Sequence, residues 1–169
     1  MTPTANPLLH LTLFAAIFAI ASALWTGSAN ASGADLFVAH CSVCHQPDGQ
    51  GIPGMYPPLA NSAGDFIHSR DGRAYLVHVL SFGLNGPITV HGASYNGYMQ
   101  SWVQLSNDDI AQVLNHVLSS FNAKLLPRDF APFTAHEVGQ DRARPMTSSE
   151  VYHELQTLGA ASVKAQAAK

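Results

Sequence analysis

Apolar residues recur along this chain at the intervals of a helix. The clearest run is Ile110, Val113, Leu114, Val117, Leu118 and Phe121, which fall on one stripe of a 3.6-residue turn. Ser106 precedes it as an N-cap. Asp108 and Asp109 occupy the first turn, where free N–H groups and the helix dipole favour negative charge. A second stripe, Tyr75, Leu76, Val79, Leu80 and Phe82, predicts a helix over Asp71 to Phe82 that Gly83 and Pro87 close. Asp35 to Cys44 reads as a short opening helix. Its Leu36 and Phe37 are the expected cover for the long stripe.

Elsewhere the pattern lapses. Residues 46–63 carry Gly49, Gly51, Pro53, Gly54, Pro57 and Pro58 and are expected to be loop. Ile88 to Tyr95 alternates loosely, which suggests a short extended segment. After Leu126 the chain becomes more polar and is punctuated by Pro127, Pro132 and Pro145. Thr134 with Glu137 and Thr147 with Glu150 are capping-box pairs, predicting helices near 135–143 and 148–158. Ala160 to Lys169 is expected to fray.

The first thirty-one residues contain no Asp, Glu, Lys or Arg, and Leu11 to Trp25 is mostly apolar. Ala29-Asn30-Ala31 has the small-x-small form of a signal-peptidase site, so residues 1–31 read as a leader cut after Ala31. The alternative is an uncleaved anchor, since Leu8 to Trp25 approaches the ~20 residues that span a bilayer. Either way the rest of the chain is expected outside the cytoplasm, in the periplasm. Only 11% of residues are charged and the formal net charge is −3. That leaves no basic patch for nucleic acid and no strong field to steer a partner.

Two cysteines in an oxidising compartment ordinarily suggest a disulfide. Here they occur as Cys41-Ser42-Val43-Cys44-His45. A spacing of three presents both thiols on one side of a helical turn, fit to add to the two vinyl groups on one edge of a haem. His45 then lies over the ring plane to bind iron, and C-x-x-C-H is read as covalent haem attachment for that reason. A redox C-x-x-C would follow a strand in a βαβ unit, and a zinc site would need four ligands. Neither pattern surrounds these residues, and a plain disulfide leaves His45 unexplained.

The residue at the sixth iron position decides the chemistry. Met55, Met99 and Met146 remain after the leader. Met55 is ten residues past His45 in a Pro/Gly-rich loop expected to pack on the His45 side, and Met146 lies in the tail. Met99, flanked by Tyr95, Tyr98 and Trp102, is far enough along to return across the other face. His91 is its rival. His40, His68, His78, His116, His136 and His153 are expected on surfaces or helix edges.

The leader, Cys41 to His45, Pro57-Pro58-Leu59, Met99 and the amphipathic helix occur in an order that resembles the class I mono-haem cytochromes c over residues 33–122. Gly51 to Ala60, Tyr95 to Met99 and Phe133 to Val138 look most like cytochromes c that serve as partners or subunits of periplasmic alcohol and sugar dehydrogenases. The resemblance implies an all-α fold, with N- and C-terminal helices packed around one covalent haem c in residues 32–125. Residues 126–169 form a helical extension. It also implies that a proline carbonyl, of Pro57 or Pro58, accepts the His45 ring N–H. Gln100 departs from the proline that many relatives have after the methionine, which predicts a more labile Met99.

With His45 and Met99 both on iron, only outer-sphere transfer of one electron remains, and thioether ligation raises the potential. The expected role is a carrier from a dehydrogenase to a terminal oxidase or other acceptor, not an enzyme. A peroxidase-like enzyme or a gas-binding sensor would need a displaceable sixth ligand. The extension is expected to clamp the haem domain or to serve as a docking arm.

Overall fold

The computed structural model describes residues 31–167. The expected leader therefore lies, apart from Ala31, outside the described residues. Helix α1 (Gly33–His40) starts at Ser32. The Ser32 hydroxyl accepts the Asp35 amide, and the Asp35 carboxylate accepts the Ser32 amide in return. Such a box stabilises a helix start by about 1 kcal/mol. The helix breaks at Cys41 and resumes as one turn, α2 (Ser42–His45), where the Cys44 and His45 amides both donate to the Cys41 carbonyl. The continuous helix expected over Asp35 to Cys44 is thus two pieces, joined at the first cysteine.

A loop leads to a 3₁₀ segment, Ala63–His68, and then to α3 (Arg70–Phe82), capped by the Ser69 hydroxyl on the Gly72 amide. Four short strands follow among the described residues: β1 (Leu84–Asn85), β2 (Ile88–Val90), β3 (Ala93–Tyr95) and β4 (Tyr98–Met99). β2 and β3 form a hairpin, pairing Ile88 with Tyr95 and Val90 with Ala93. His91 and Gly92 make its turn with φ of 51° and 79°. Positive φ at both central residues suits the right-handed twist of paired strands. Around that hairpin, β1 pairs antiparallel with β4, Leu84 against Met99 and Asn85 against Tyr98. Helices carry the core, but the all-α expectation is corrected by these two small sheets. The extended segment expected over Ile88 to Tyr95 is the inner hairpin.

Helix α4 (Asn107–Phe121) runs from a second capping box, Ser106 with Asp109, and buries Ile110, Val113, Leu114, Val117 and Leu118. Its cover is α1, through Leu36 and Phe37, as the stripe predicts. The two helices cross at Gly33, where a Cβ would stand 2.2 Å from the Gln112 carbonyl oxygen. The Phe37 ring meets Phe121 edge-on at 5.2 Å.

After a 3₁₀ turn, Ala123–Leu125, the chain forms α5 (Ala135–Asp141) and α6 (Ser148–Ala167). Both start at the expected caps, Thr134 and Thr147. α6 continues past residue 158, because the Ala-rich sequence offers no breaker strong enough to end it. α5 packs on α4 through Val138 and Phe133, and the Asn115 side chain exchanges two hydrogen bonds with the Phe133 backbone. Arg73 on α3 grips both carboxylate oxygens of Glu137 at 2.7 Å, with its guanidinium over the Phe133 ring. α6 lies on α3 and β1, where Val151 joins Tyr75, Phe82 and Leu84 in a second apolar cluster.

One polar clamp fastens α6. His78 on α3 places Nδ1 2.8 Å from the Glu154 carboxylate and Nε2 2.9 Å from the Asp141 carbonyl. Both partners are acceptors, so the fully satisfied ring is the doubly protonated one. Burial pulls the His78 pKa down, but the bonds to Glu154 and Asp141 outweigh it and the pKa is raised. A raised folded-state pKa contributes stability that is complete below the unfolded value and is lost as pH rises through the folded one. His78→Gln is therefore expected to cost about 1–2 kcal/mol at mildly acidic pH and much less at alkaline pH. Denaturant melts of both proteins across that range check it; a pH-independent difference would refute it.

Candidate haem site

The break at Cys41 sets up the site. α1 is pinned to α4, and its C-terminal end and the single turn α2 share a wall with the β1–β4 ribbon. A cavity of about 380 Å³ lies there. His40, Cys41, Val43, Cys44 and His45 line it from the helix junction, and Met55, Tyr56 and Pro57 from the loop that follows. The β1–β4 ribbon and its hairpin add Leu84, Ile88, Tyr95, Tyr98 and Met99, with Gln100 and Trp102 beyond. None of its lining residues is Asp, Glu, Lys or Arg.

Four residues singled out from sequence, Cys41, Cys44, His45 and Met99, all line this one cavity. The two rival methionines separate. Met55 is on the same cavity's lining, with its side of the loop, while Met146 packs in the α6 cluster. His91 stands on the hairpin turn, exposed, with Nε2 3.0 Å from the Asn61 carbonyl, and is not among the lining residues. His40 departs from its expected place: it lines the cavity, with its ring 4.8 Å from that of Trp102. His78 departs too, being half-buried beneath α6 rather than on a surface.

His45 is the most constrained of the four. It is 7% exposed, and its Nδ1 lies 2.9 Å from the Pro57 carbonyl oxygen. A carbonyl can only accept, so Nδ1 carries the proton and Nε2 keeps its lone pair. Burial lowers the pKa, partly opposed by the Pro57 bond, so the ring is held neutral, the form that binds a metal. Of the two prolines left open by the sequence, Pro57 serves His45, and the Pro58 carbonyl accepts the Ser62 hydroxyl.

Gly51 is what brings Pro57 there. Its φ is +66°, and a Cβ would stand 2.3 Å from the Tyr56 oxygen and 2.7 Å from that of Pro57. Its amide donates to the His45 carbonyl, so one residue ties both ends of the His45–Pro57 pair. Asn122 anchors the next stretch. Fully buried, it donates to the Leu59 and Val117 carbonyls and accepts the Gly64 amide. Sequence reasoning missed both. Gly51 was legible only as loop, and Asn122 follows the long helix where any polar residue could sit.

Cys41 is buried and Cys44 half-buried, and no disulfide joins them. Burial, then the neighbouring Cys44, pushes the Cys41 pKa up to about 11. Two adjacent thiols, a neutral imidazole with one nitrogen committed to the protein, a thioether on a paired strand and uncharged walls form a donor set that fits a haem. Zinc chemistry has less support, because no group of three His, Cys, Asp or Glu is placed to hold a metal ion among the described residues.

A helical domain that encloses such a site is of the haem-binding class. Residues 30–121 match the sequence profile of the cytochrome c family. The chain belongs to that family, and its cofactor is covalently bound haem c. It is similar to cytochrome c-552 of Thermus thermophilus, 44% identical over 131 residues that cover 78% of this chain and 88% of that one. It is also 34% identical over 100 residues to the cytochrome c subunit of a quinone alcohol dehydrogenase of Gluconacetobacter polyoxogenes, covering 57% of this chain but 20% of that subunit. The gluconate 2-dehydrogenase cytochrome c subunit of Pantoea cypripedii is 28% identical over 127 residues, 72% of this chain and 28% of that one.

Gly51→Ala is expected to displace the Pro57 carbonyl from His45 and to destabilise the protein by about 1–3 kcal/mol through its positive φ. Thermal melts measure the loss. The His45 ring N–H proton resonance, if unchanged in the variant, would rule out the role given to Gly51.

Proposed function

We propose that Cys41 and Cys44 would hold the haem through thioether bonds, that His45 Nε2 and the Met99 sulfur would bind its iron, and that the protein relays single electrons from an exported dehydrogenase to the respiratory chain. Each thiol would add across a vinyl group of the haem, its sulfur to one carbon and its hydrogen to the neighbouring one. The observation that carries the reading is the committed Nδ1 of His45. With that nitrogen bonded to Pro57, Nε2 is the one left to bind iron, in a cavity that also holds both thiols and Met99.

The bound haem supplies a one-electron couple, and the chain's own residues tune and shield it. The Pro57 carbonyl makes the His45 ring more basic and fixes its rotation. Neutral thioether ligation by Met99 favours the ferrous state and raises the potential. Leu84, Ile88 and Tyr95 keep water from one side, which limits reorganisation when the charge changes.

Partners meet an uncharged rim. Val43, Met55 and Tyr98 line the cavity and yet are 78%, 59% and 64% exposed. Such a face suits brief contact with a redox protein, without the steering that charge would give. Two comparisons with dehydrogenase cytochrome subunits support a dehydrogenase as donor, and the acceptor is a terminal oxidase or a similar protein. An exported location fits a leader ending at Ala31. Ser32 is the cap of α1, so a cut after Ala31 leaves that cap in place. Among the described residues no helix is long and apolar enough to cross a membrane.

Two outcomes test this. The ferric protein is expected to show the long-wavelength charge-transfer band of a thioether–iron bond, and Met99→Ala to lose it, with ferrous CO binding at least about 100-fold faster. Fast CO or cyanide binding by the native protein at neutral pH would instead favour a peroxidase-like enzyme or a gas sensor. Reduction by a partner is expected to change by less than about threefold between low and high salt. A steep salt dependence in stopped-flow measurements would contradict the uncharged docking face.

A further inference from the structure

The strand that carries Met99 is backed by residues outside the segment that matches the family. β4 pairs with β1 over only two residue pairs. A two-stranded ribbon that short has little stability of its own. The residue after Met99 is Gln100, which leaves the backbone rotation there free where a proline would fix it. Something else has to hold the strand.

The C-terminal extension does so from two sides. Beneath β1, the Tyr152 ring sits on Gly86 so closely that a Cβ on residue 86 would come within 2.6 Å of it. Val151, 0% exposed, is packed with Tyr75, Phe82 and Leu84, and Met99, at the border of the main core, lies against this cluster too. Leu84 is the residue paired with Met99, so α6 reaches the proposed ligand through one intervening side chain. Beyond β4, Arg142 at the end of α5 donates to the carbonyls of Val103 and Leu105 and ties down the chain that leaves Met99.

We propose that Val151 and Tyr152 are positioning residues for Met99, and that α6 sets how readily the sixth ligand leaves the iron. The proposal rests on the reading of Met99 as that ligand. α6 presses β1 against β4, and the ribbon in turn holds the thioether at the cavity wall. The extension thus supplies by packing the rigidity that Gln100 withholds. A merely structural extension would raise the melting temperature and leave ligand exchange untouched.

A matched pair of substitutions in the full-length haem-loaded protein separates the two. Val151→Ala on α6 and Val138→Ala on α5 make the same chemical change at positions that are both 0% exposed. Both are expected to lower the melting temperature. Only Val151→Ala is expected to speed CO binding to the ferrous protein, by a few-fold, with Tyr152→Ala reaching about tenfold. Amide exchange of the β1–β4 residues is expected to accelerate in the same two variants and not in Val138→Ala. Should Tyr152→Ala fail to fold, Val151→Ala still decides the matter. Equal CO rates and equal β1–β4 exchange in Val151→Ala, Val138→Ala and native protein would overturn the proposal. Met99→Ala keeps the two readings apart: if CO binds the native protein as fast as it binds Met99→Ala, the ligand assignment is what failed.

Discussion

Everything at the haem site hangs from the contact between α1 and α4 at Gly33. A helix can approach another this closely only where a side chain is missing, and here the Gln112 carbonyl fills the space that a Cβ would take. Closeness lets Leu36 and Phe37 reach the stripe from Ile110 to Leu118, and burial of each large side chain contributes about 1.5–3 kcal/mol. With α1 fixed in place, its last turn has one position, and Cys41 at the break stays in the core of the helix pair while it lines the cavity together with Cys44 and His45. An alanine at residue 33 would push on the orientation of His45 from three turns away.

The two walls of the site are supported by different means. His45 is held by local backbone chemistry: Gly51 bonds to its carbonyl, and the loop doubles back to set Pro57 against its ring. Met99 is held by remote packing, through β1 and α6. The proximal side is therefore encoded within about a dozen residues, while the distal side depends on side chains some fifty positions further on. On the proposed ligation, electron transfer asks that His45 and Met99 stay put as the charge changes, and the chain holds one by a short tether and the other by a long one.

How much of this could be read beforehand follows from the range of each signal. The α4 stripe with its Ser106 cap and the Thr134 and Thr147 caps are local patterns, and those three helices start where the patterns say, whereas the Ser32 cap of α1 was not read. Cys41 to His45 is local too. Strands of two or three residues have no period to detect, so β1 and β4 were invisible and the hairpin was legible only as loose alternation. His78 and Glu154 are 76 positions apart, and nothing in either neighbourhood announces the pair. Pro57 and Pro58 could not be told apart, since the choice between their carbonyls is made by the turn at Gly51. His91 looked able to bind iron because its imidazole is chemically suitable. Its place on a tight turn, facing Asn61, is a matter of tertiary geometry.

The buried Cys41 thiol bears on how the protein is made. A thiol with a pKa of about 11 is almost entirely protonated at neutral pH, and the thiolate is the reactive form. A chain that closed α1 onto α4 before receiving its haem would hold this sulfur, which we read as one of the two that bind the cofactor, protonated and packed among core side chains such as Leu36 and Phe37. On that reading, the burial of Cys41 favours an order of events in which the sulfur is bonded on an open chain and the helix crossing at Gly33 seals it afterwards.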